Sequence, residues 1–140
     1  MNPHDIVEIT KDIQPDQVKD MSGYGLERII KYTARSRHSY TAMLPSGVPI
    51  ASFGVNVHPD AHSGTAWGVI GAKAGKYFLG VHRAVQEFLD GCEYENIFMS
   101  VRKDFDRGNR WAKMLGFEEY RMVNNHFGEG EHGVLYRRTK

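Results

Sequence analysis

Two histidines, His58 and His62, bracket the polar turn HPDAHSG (58–64). Imidazole takes up and releases a proton near neutral pH, so either residue is a candidate general base, His58 first. Lys73 and Lys76 flank Gly75 at the start of an amphipathic stretch, a combination able to hold an anion at a helix N-terminus. Ser100 sits near the end of the apolar run IFMSV (97–101), where it either faces a reaction site or packs as a small residue. His82 falls on the apolar side of a helical pattern and reads as a satisfied, half-buried residue. His126 and His132 flank the Gly-rich segment NNHFGEGEHG (124–133) with Glu129 and Glu131, but the spacing fits no defined metal site, and no metal is expected. The single cysteine, Cys92, excludes an internal disulfide and a cysteine-based zinc cluster. It follows Gly91 in a turn signal and reads as a bystander.

The elements that would position these groups follow from the hydrophobic period. Ile6, Val7 and Ile9 point to a short first strand, and Pro15 to a helical turn with Val18 and Met21 as its contacts. Ser22 can cap a second helix carrying Leu26, Ile29, Ile30 and Thr33. The period then becomes two. Tyr40, Ala42 and Leu44 lead into the turn PSGVP, and Phe53, Val55 and Val57 alternate beyond it, which makes a hairpin. TAWGVIGA (65–72) reads as the next strand. In AGKYFLGVHRAVQEFL (74–89), Phe78, Val81, His82, Val85, Phe88 and Leu89 share one helical face, and Gly91 stops the run. IFMSV follows as a buried strand, so 65–101 forms a βαβ unit and a parallel strand pair. Asp104 or Asp106 can cap the next helix, which ends at Leu115 with Gly116 in left-handed geometry. Residues 117–123 and 133–138 supply two last strands. The chain is therefore expected to be one α+β domain with a mixed, mostly antiparallel sheet, a central βαβ unit and helices on both faces.

At 140 residues, 41% hydrophobic and 25% charged, the composition is that of an ordinary globular domain with a core of its own. A net charge of +1 argues for neither nucleic acid nor an anionic membrane as a bulk partner. The clusters Lys31, Arg35, Arg37, His38 and Arg137, Arg138, Lys140 read as solvated charge. Nucleic-acid binding through Arg35, Arg37, Arg107 and Arg110 lacks a supporting aromatic or motif pattern. The start MNPHDIVEIT carries no basic segment followed by an apolar one, and no run approaches the roughly 20 apolar residues of a membrane span. An intracellular, cytoplasmic protein is expected.

The stretch NRWAKMLGFEEY (109–120), placed after the βαβ unit, carries a resemblance. Trp111, Leu115, Gly116 and Phe117 look like the aromatic-x-x-x-Leu-Gly-Phe ending of the last helix in the GNAT (GCN5-related N-acetyltransferase) superfamily, and the order of elements resembles that family over almost the whole chain. The resemblance implies an acetyl-CoA-dependent acetyltransferase that acts on a small-molecule or protein amine. Its fourth and fifth strands, here 65–70 and 97–101, would splay, and the cofactor would lie along the backbone of the former. Val69 and Ile70 would offer N–H groups to the thioester carbonyl. Gly71, Lys73, Gly75 and Lys76, within the loop 71–77, would meet the pyrophosphate, and Asn109 and Trp111 would lie on the cofactor side of the last helix.

Several positions depart from the family pattern Q/R-x-x-G-x-G/A and from its last helix. Ala74 occupies the Gln/Arg place, Tyr77 the second glycine and Leu79 the third small residue. Ala112 stands where many relatives have a tyrosine that protonates the leaving thiolate, and Phe105 where an asparagine often stands. A narrower resemblance, through AKAGKYFLGVHRAV (72–85) and GNRWAKMLGF (108–117), is to short GNAT-like proteins of podovirus-type tailed phages, some of them internal virion or assembly proteins. It implies a second reading: a catalytically degenerate domain that binds a phage or host protein. Self-association as a homodimer is left open, as is the acceptor amine.

Overall fold

A computed structural model describes residues 38–140 and, before them, Ile9. Ile9 is helical and buried, with 1% of its surface exposed, where the sequence suggests a strand. The turn at Pro15 and the helix at Ser22 lie outside the described residues. The strands are β1 (His38–Met43), β2 (Pro49–Val57), β3 (Ser63–Ile70), β4 (Asn96–Arg102), β5 (Glu118–Val123) and β6 (Gly133–Thr139). The helices are α1 (Phe78–Gly91) and α2 (Asp106–Met114), and a 3-10 helix, Ala72–Tyr77, precedes α1. The strands hydrogen-bond in the order β1-β2-β3-β4-β6-β5, with β3–β4 parallel and β4–β6 and β5–β6 antiparallel. That is the mixed α+β sheet expected from the hydrophobic pattern.

The described residues fall into two compact units, the first reaching to Asn56 and taking in Ala66–Cys92, the second made of Val57–Thr65 and Glu93–Lys140. In the first, β1 and β2 pair in the register Tyr40↔Phe53, closed by a turn in which Gly47 donates to the Leu44 carbonyl at 2.8 Å. The run Ile50, Ala51, Ser52, Phe53, Val55 is buried throughout rather than alternately, as in a strand covered on both faces. Buried Ser52 meets its polar requirement through the Thr41 hydroxyl at 2.8 Å. Helix α1 buries Val81, Val85 and Leu89, one residue per turn of its apolar stripe. Phe88 packs edge-on against Tyr40 and Phe53, at 5.2 and 5.5 Å between ring centres. Phe78, counted with the buried face in the sequence, is exposed because it opens the helix.

In the second unit, β4 and β6 pair over the full length of both strands, from Asn96↔Thr139 to Arg102↔Gly133. Helix α2 begins after Phe105, not after an aspartate: Phe105 takes the cap position without a side-chain cap, and Asp106 lies in the first turn, where its charge suits the helix dipole. Its C-terminus follows the expected design. Gly116 has φ +91°, its N–H bonds the Lys113 carbonyl at 3.1 Å, and the Phe117 N–H bonds the Ala112 carbonyl at 3.0 Å. Those two bonds satisfy carbonyls that the helix end leaves open, and Phe117 is driven into the core at 2% exposure. Arg138 covers the Leu115 carbonyl with its Nε at 3.0 Å.

Candidate active site

In the first unit, β3 delivers Val69 (buried) and Ile70 (half-buried) to the loop expected to hold pyrophosphate. That loop is wound, not open. The Gly71 N–H donates to the Ile50 carbonyl at 2.8 Å, and the Ala74 N–H to the Gly71 carbonyl at 3.1 Å. Residues 72–77, including Lys73, form the 3-10 helix, and α1 starts at Phe78, four residues later than the pattern suggests. The winding follows from the capture of the Gly71 N–H by Ile50, and Tyr77 lacks the backbone freedom that a glycine would give at its place. Ala74 is turned inward at 3% exposure, Gly75 opens onto free space, and Lys76 is exposed. Tyr77, Phe78 and Leu79 follow as exposed apolar side chains.

In the second unit, Asn109 is a hub. Its Nδ2 lies 2.8 Å from the Phe105 carbonyl, 3.1 Å from that of Arg102 and 3.3 Å from that of Lys103, while its Oδ1 accepts the Tyr136 hydroxyl at 2.6 Å. The side chain thus ties α2 to the end of β4. Gly108 is required by the same close approach, since a Cβ there would stand 2.7 Å from the Phe105 ring and 2.9 Å from Val101. Trp111 is half-buried on α2. Ala112, aligned with the family's acidic tyrosine, is fully buried, so a phenol at that position would displace the core instead of reaching a thiolate.

His58, the residue after β2, is half-buried. Its Nε2 lies 2.7 Å from Thr65 Oγ1, and its ring stacks on Phe98 with centres 5.9 Å apart and planes within 9°. Phe98 meets the edge of Tyr120 at 5.8 Å, and the Arg137 guanidinium covers the Tyr120 ring at 4.6 Å. Asp60 folds the turn by accepting the N–H groups of His62 and Ser63. Those backbone N–H groups, His62's foremost, and the neighbouring imidazoles of His62 and His58 hold its carboxyl below the usual range. Ser100 is half-buried opposite Leu135 and, by strand alternation, on the same face of β4 as Phe98. The sequence reading singled out His58 but not Thr65, Phe98, Tyr120 or Arg137. Period-two alternation, which puts Phe98 and Ser100 on one face, was the available signal.

The other candidates have structural roles. His132 accepts the Asn125 N–H at Nδ1, and Glu131 pairs with Arg102. His82 stacks on Phe78, and Cys92, half-buried, ends α1 with its N–H on the Leu89 carbonyl. Among the described residues, no group of three His, Cys, Asp or Glu could hold a metal ion, and no helix is long and apolar enough to cross a membrane.

No family model and no curated protein matches the sequence. The fold does match. Ard1 from Thermoplasma volcanium superposes with a TM-score of 0.80 at 16% identity, over 99% of this chain and 93% of the other. A GNAT-family acetyltransferase from Bacillus anthracis gives 0.70 at 9% identity, covering 99% and 91%. AAC(6')-Ib solved with ribostamycin and coenzyme A gives 0.67 at 19% identity, covering 100% and 90%. The chain has the GNAT fold, a fold whose solved members include acetyltransferases and a coenzyme A complex.

Proposed function

We propose that the protein binds acetyl-CoA and transfers its acetyl group to an amine. The observation that carries this reading is the likeness in fold, end to end, to acetyltransferases, one of them solved with coenzyme A. In this reading the cofactor runs along Val69 and Ile70, whose backbone N–H groups polarise the thioester carbonyl. Lys73 and Lys76 attract the phosphates, Gly75 leaves room for them, and Gly71 marks where the strand ends. Asn109 acts indirectly, by fixing the turn after β4. His58 takes the proton of the attacking amine, with Ser100 of β4 as a polar contact for the acceptor. The acceptor is a small-molecule or protein amine. Because the thioester is already activated, positioning supplies most of the rate, and the reaction tolerates the missing tyrosine acid.

A titration of the protein with acetyl-CoA, followed by its melting temperature, tests the reading. Binding to the native state raises Tm. No rise at millimolar acetyl-CoA overturns it. If the cofactor binds, His58→Ala is expected to slow transfer about a hundredfold without changing cofactor affinity; unchanged rates clear His58 of the base role.

A second reading is favoured by one observation: the Gly71 and Ala74 N–H groups, which an anion cradle would offer to phosphate, are already bonded within the chain. In that reading the domain keeps the fold without the chemistry and serves as a binding module, in phage assembly or host interaction, with the exposed Tyr77, Phe78 and Leu79 near the unused loop. Absence of any acetyl-CoA response is its expected result.

A further inference from the structure

Tyr120 stands where β5 loses its register with β6. The pairs Glu119↔Tyr136 and Arg121↔Leu135 leave Tyr120 as an extra residue without a partner, a β-bulge. Bulges re-aim side chains and gather next to functional sites. This one sets the Tyr120 ring, 50% exposed, edge-to-face with Phe98 at 5.8 Å and beneath the Arg137 guanidinium at 4.6 Å. Three strands contribute, because Phe98 on β4 lies directly opposite Arg137 on β6, and Arg137 opposite Glu118 on β5. His58 stacks on Phe98 and backs that ring. All of these residues belong to the second unit.

Arg137 is half-buried, yet among the described residues no hydrogen bond or ion pair occupies its N–H groups, not even with the Glu118 carboxylate across the strand pair. A guanidinium laid over an aromatic ring keeps its N–H edge for a carboxylate or phosphate, which it binds bidentately. We propose that Phe98, Tyr120 and Arg137 form a binding site for a small aromatic anion. The anionic group pairs with Arg137 while the ring of the ligand packs on Tyr120 and Phe98. Aromatic carboxylates and nucleoside monophosphates share that chemistry. Glu118 is exposed opposite Arg137, and its charge opposes that of the ligand, so an anion without a ring gains little there. The site lies beyond the proposed acetyl transfer and does not depend on it.

The test titrates the full chain with phenylacetate and with AMP, followed by NMR shifts of the backbone amides of 118–121 and 136–138 and of the Arg137 Nε–H. Each anion is compared with its uncharged counterpart, phenylacetamide or adenosine. A saturable shift with at least one anion is expected, and none with its uncharged counterpart at equal concentration. Arg137→Ala should weaken binding about tenfold. Arg137→Lys should recover only part of that, because lysine lacks the planar fork, and Tyr120→Leu should weaken binding as well. Glu118→Gln should tighten it, a gain that a merely damaged fold does not produce. Response to phenylacetate alone assigns the site to aromatic carboxylates, to AMP alone to nucleotides, and to both to the shared chemistry. No shift at 118–121 with either anion at millimolar concentration, or unchanged affinity in Arg137→Ala, overturns the site. Acetyl-CoA binding by a protein that ignores both anions overturns this site and leaves the transfer reading; the reverse result leaves the site and removes that reading.

Discussion

The buried hydroxyl of Tyr136 donates to Oδ1 of Asn109 at 2.6 Å, joining β6 to α2 through side chains 27 residues apart in sequence. Asn109 in turn donates to the carbonyls of the turn after β4. Asn109→Ala leaves both the Tyr136 hydroxyl and those carbonyls without this partner. The expected loss is about 2–3 kcal/mol in urea unfolding, against about 1 kcal/mol for Tyr136→Phe, which removes one donor and leaves the Nδ2 bonds to the carbonyls in place. The double variant should cost less than the sum, because the two groups share one bond. Additive losses would show that the bond carries no coupling.

Burial, foremost, and the Glu119 carboxylate push the Tyr136 phenol above its ordinary value. The native state therefore keeps this proton at a pH where the unfolded chain has released it. By linkage, that contribution is complete below about pH 10, the unfolded value, and is lost as pH rises through the folded value. Wild-type stability should fall at alkaline pH more steeply than that of Tyr136→Phe, measured by urea unfolding across that range. Parallel curves would remove Tyr136 as the cause.

The parts legible in the sequence are those governed by local rules. The hairpin around PSGVP, the parallel β3–β4 pair and the left-handed Gly116 follow from period, turn chemistry and helix termination. The winding of 72–77 was not legible, because the Gly71 N–H is captured by Ile50, a residue 21 positions earlier that no local pattern connects to it. The start of α2 is not legible either: Asp104 and Asp106 both look like caps, yet Phe105 takes the cap position and Asp106 lies in the first turn. At the candidate site, His58 was visible from its residue type. Its partners Thr65 and Phe98 were not, since strand register brings them together.

Arg102 is 4% exposed at the end of β4, where it pairs with Glu131, lies 4.0 Å from Asp104 and covers the Phe127 ring at 5.4 Å. It anchors the 124–132 segment to the sheet, together with the Lys103 N–H bond to the His132 carbonyl at 2.9 Å. Glu131→Gln keeps the shape but removes the charge beside a buried guanidinium. Because Glu131 is itself half-exposed, the expected cost is about 1–2 kcal/mol, below that of a fully buried pair. Hydrogen exchange should quicken across 124–132 before the rest of β6. Unchanged exchange there would separate the ion pair from the ordering of the segment.

Gly116 and Gly108 predict different kinds of failure. Gly116 sits at φ +91°, so Gly116→Ala strains the backbone and also brings a Cβ to 3.3 Å from Arg138 Nε, whose bond to Leu115 helps close α2. The expected loss is about 1–2 kcal/mol, and Gly116→Asn, which tolerates left-handed backbone better, should recover part of it. Gly108→Ala strains no dihedral but drives a methyl into the Phe105 ring and Val101, so the helix must shift away from β4. Asparagine there should recover nothing, and Phe105→Leu should relieve the part of the clash that Val101 does not make. Urea unfolding of the two pairs of variants checks the distinction: rescue of Gly108→Ala by Phe105→Leu, and of Gly116→Ala only by a left-handed residue, is the expected pattern, while equal behaviour at the two positions would refute it.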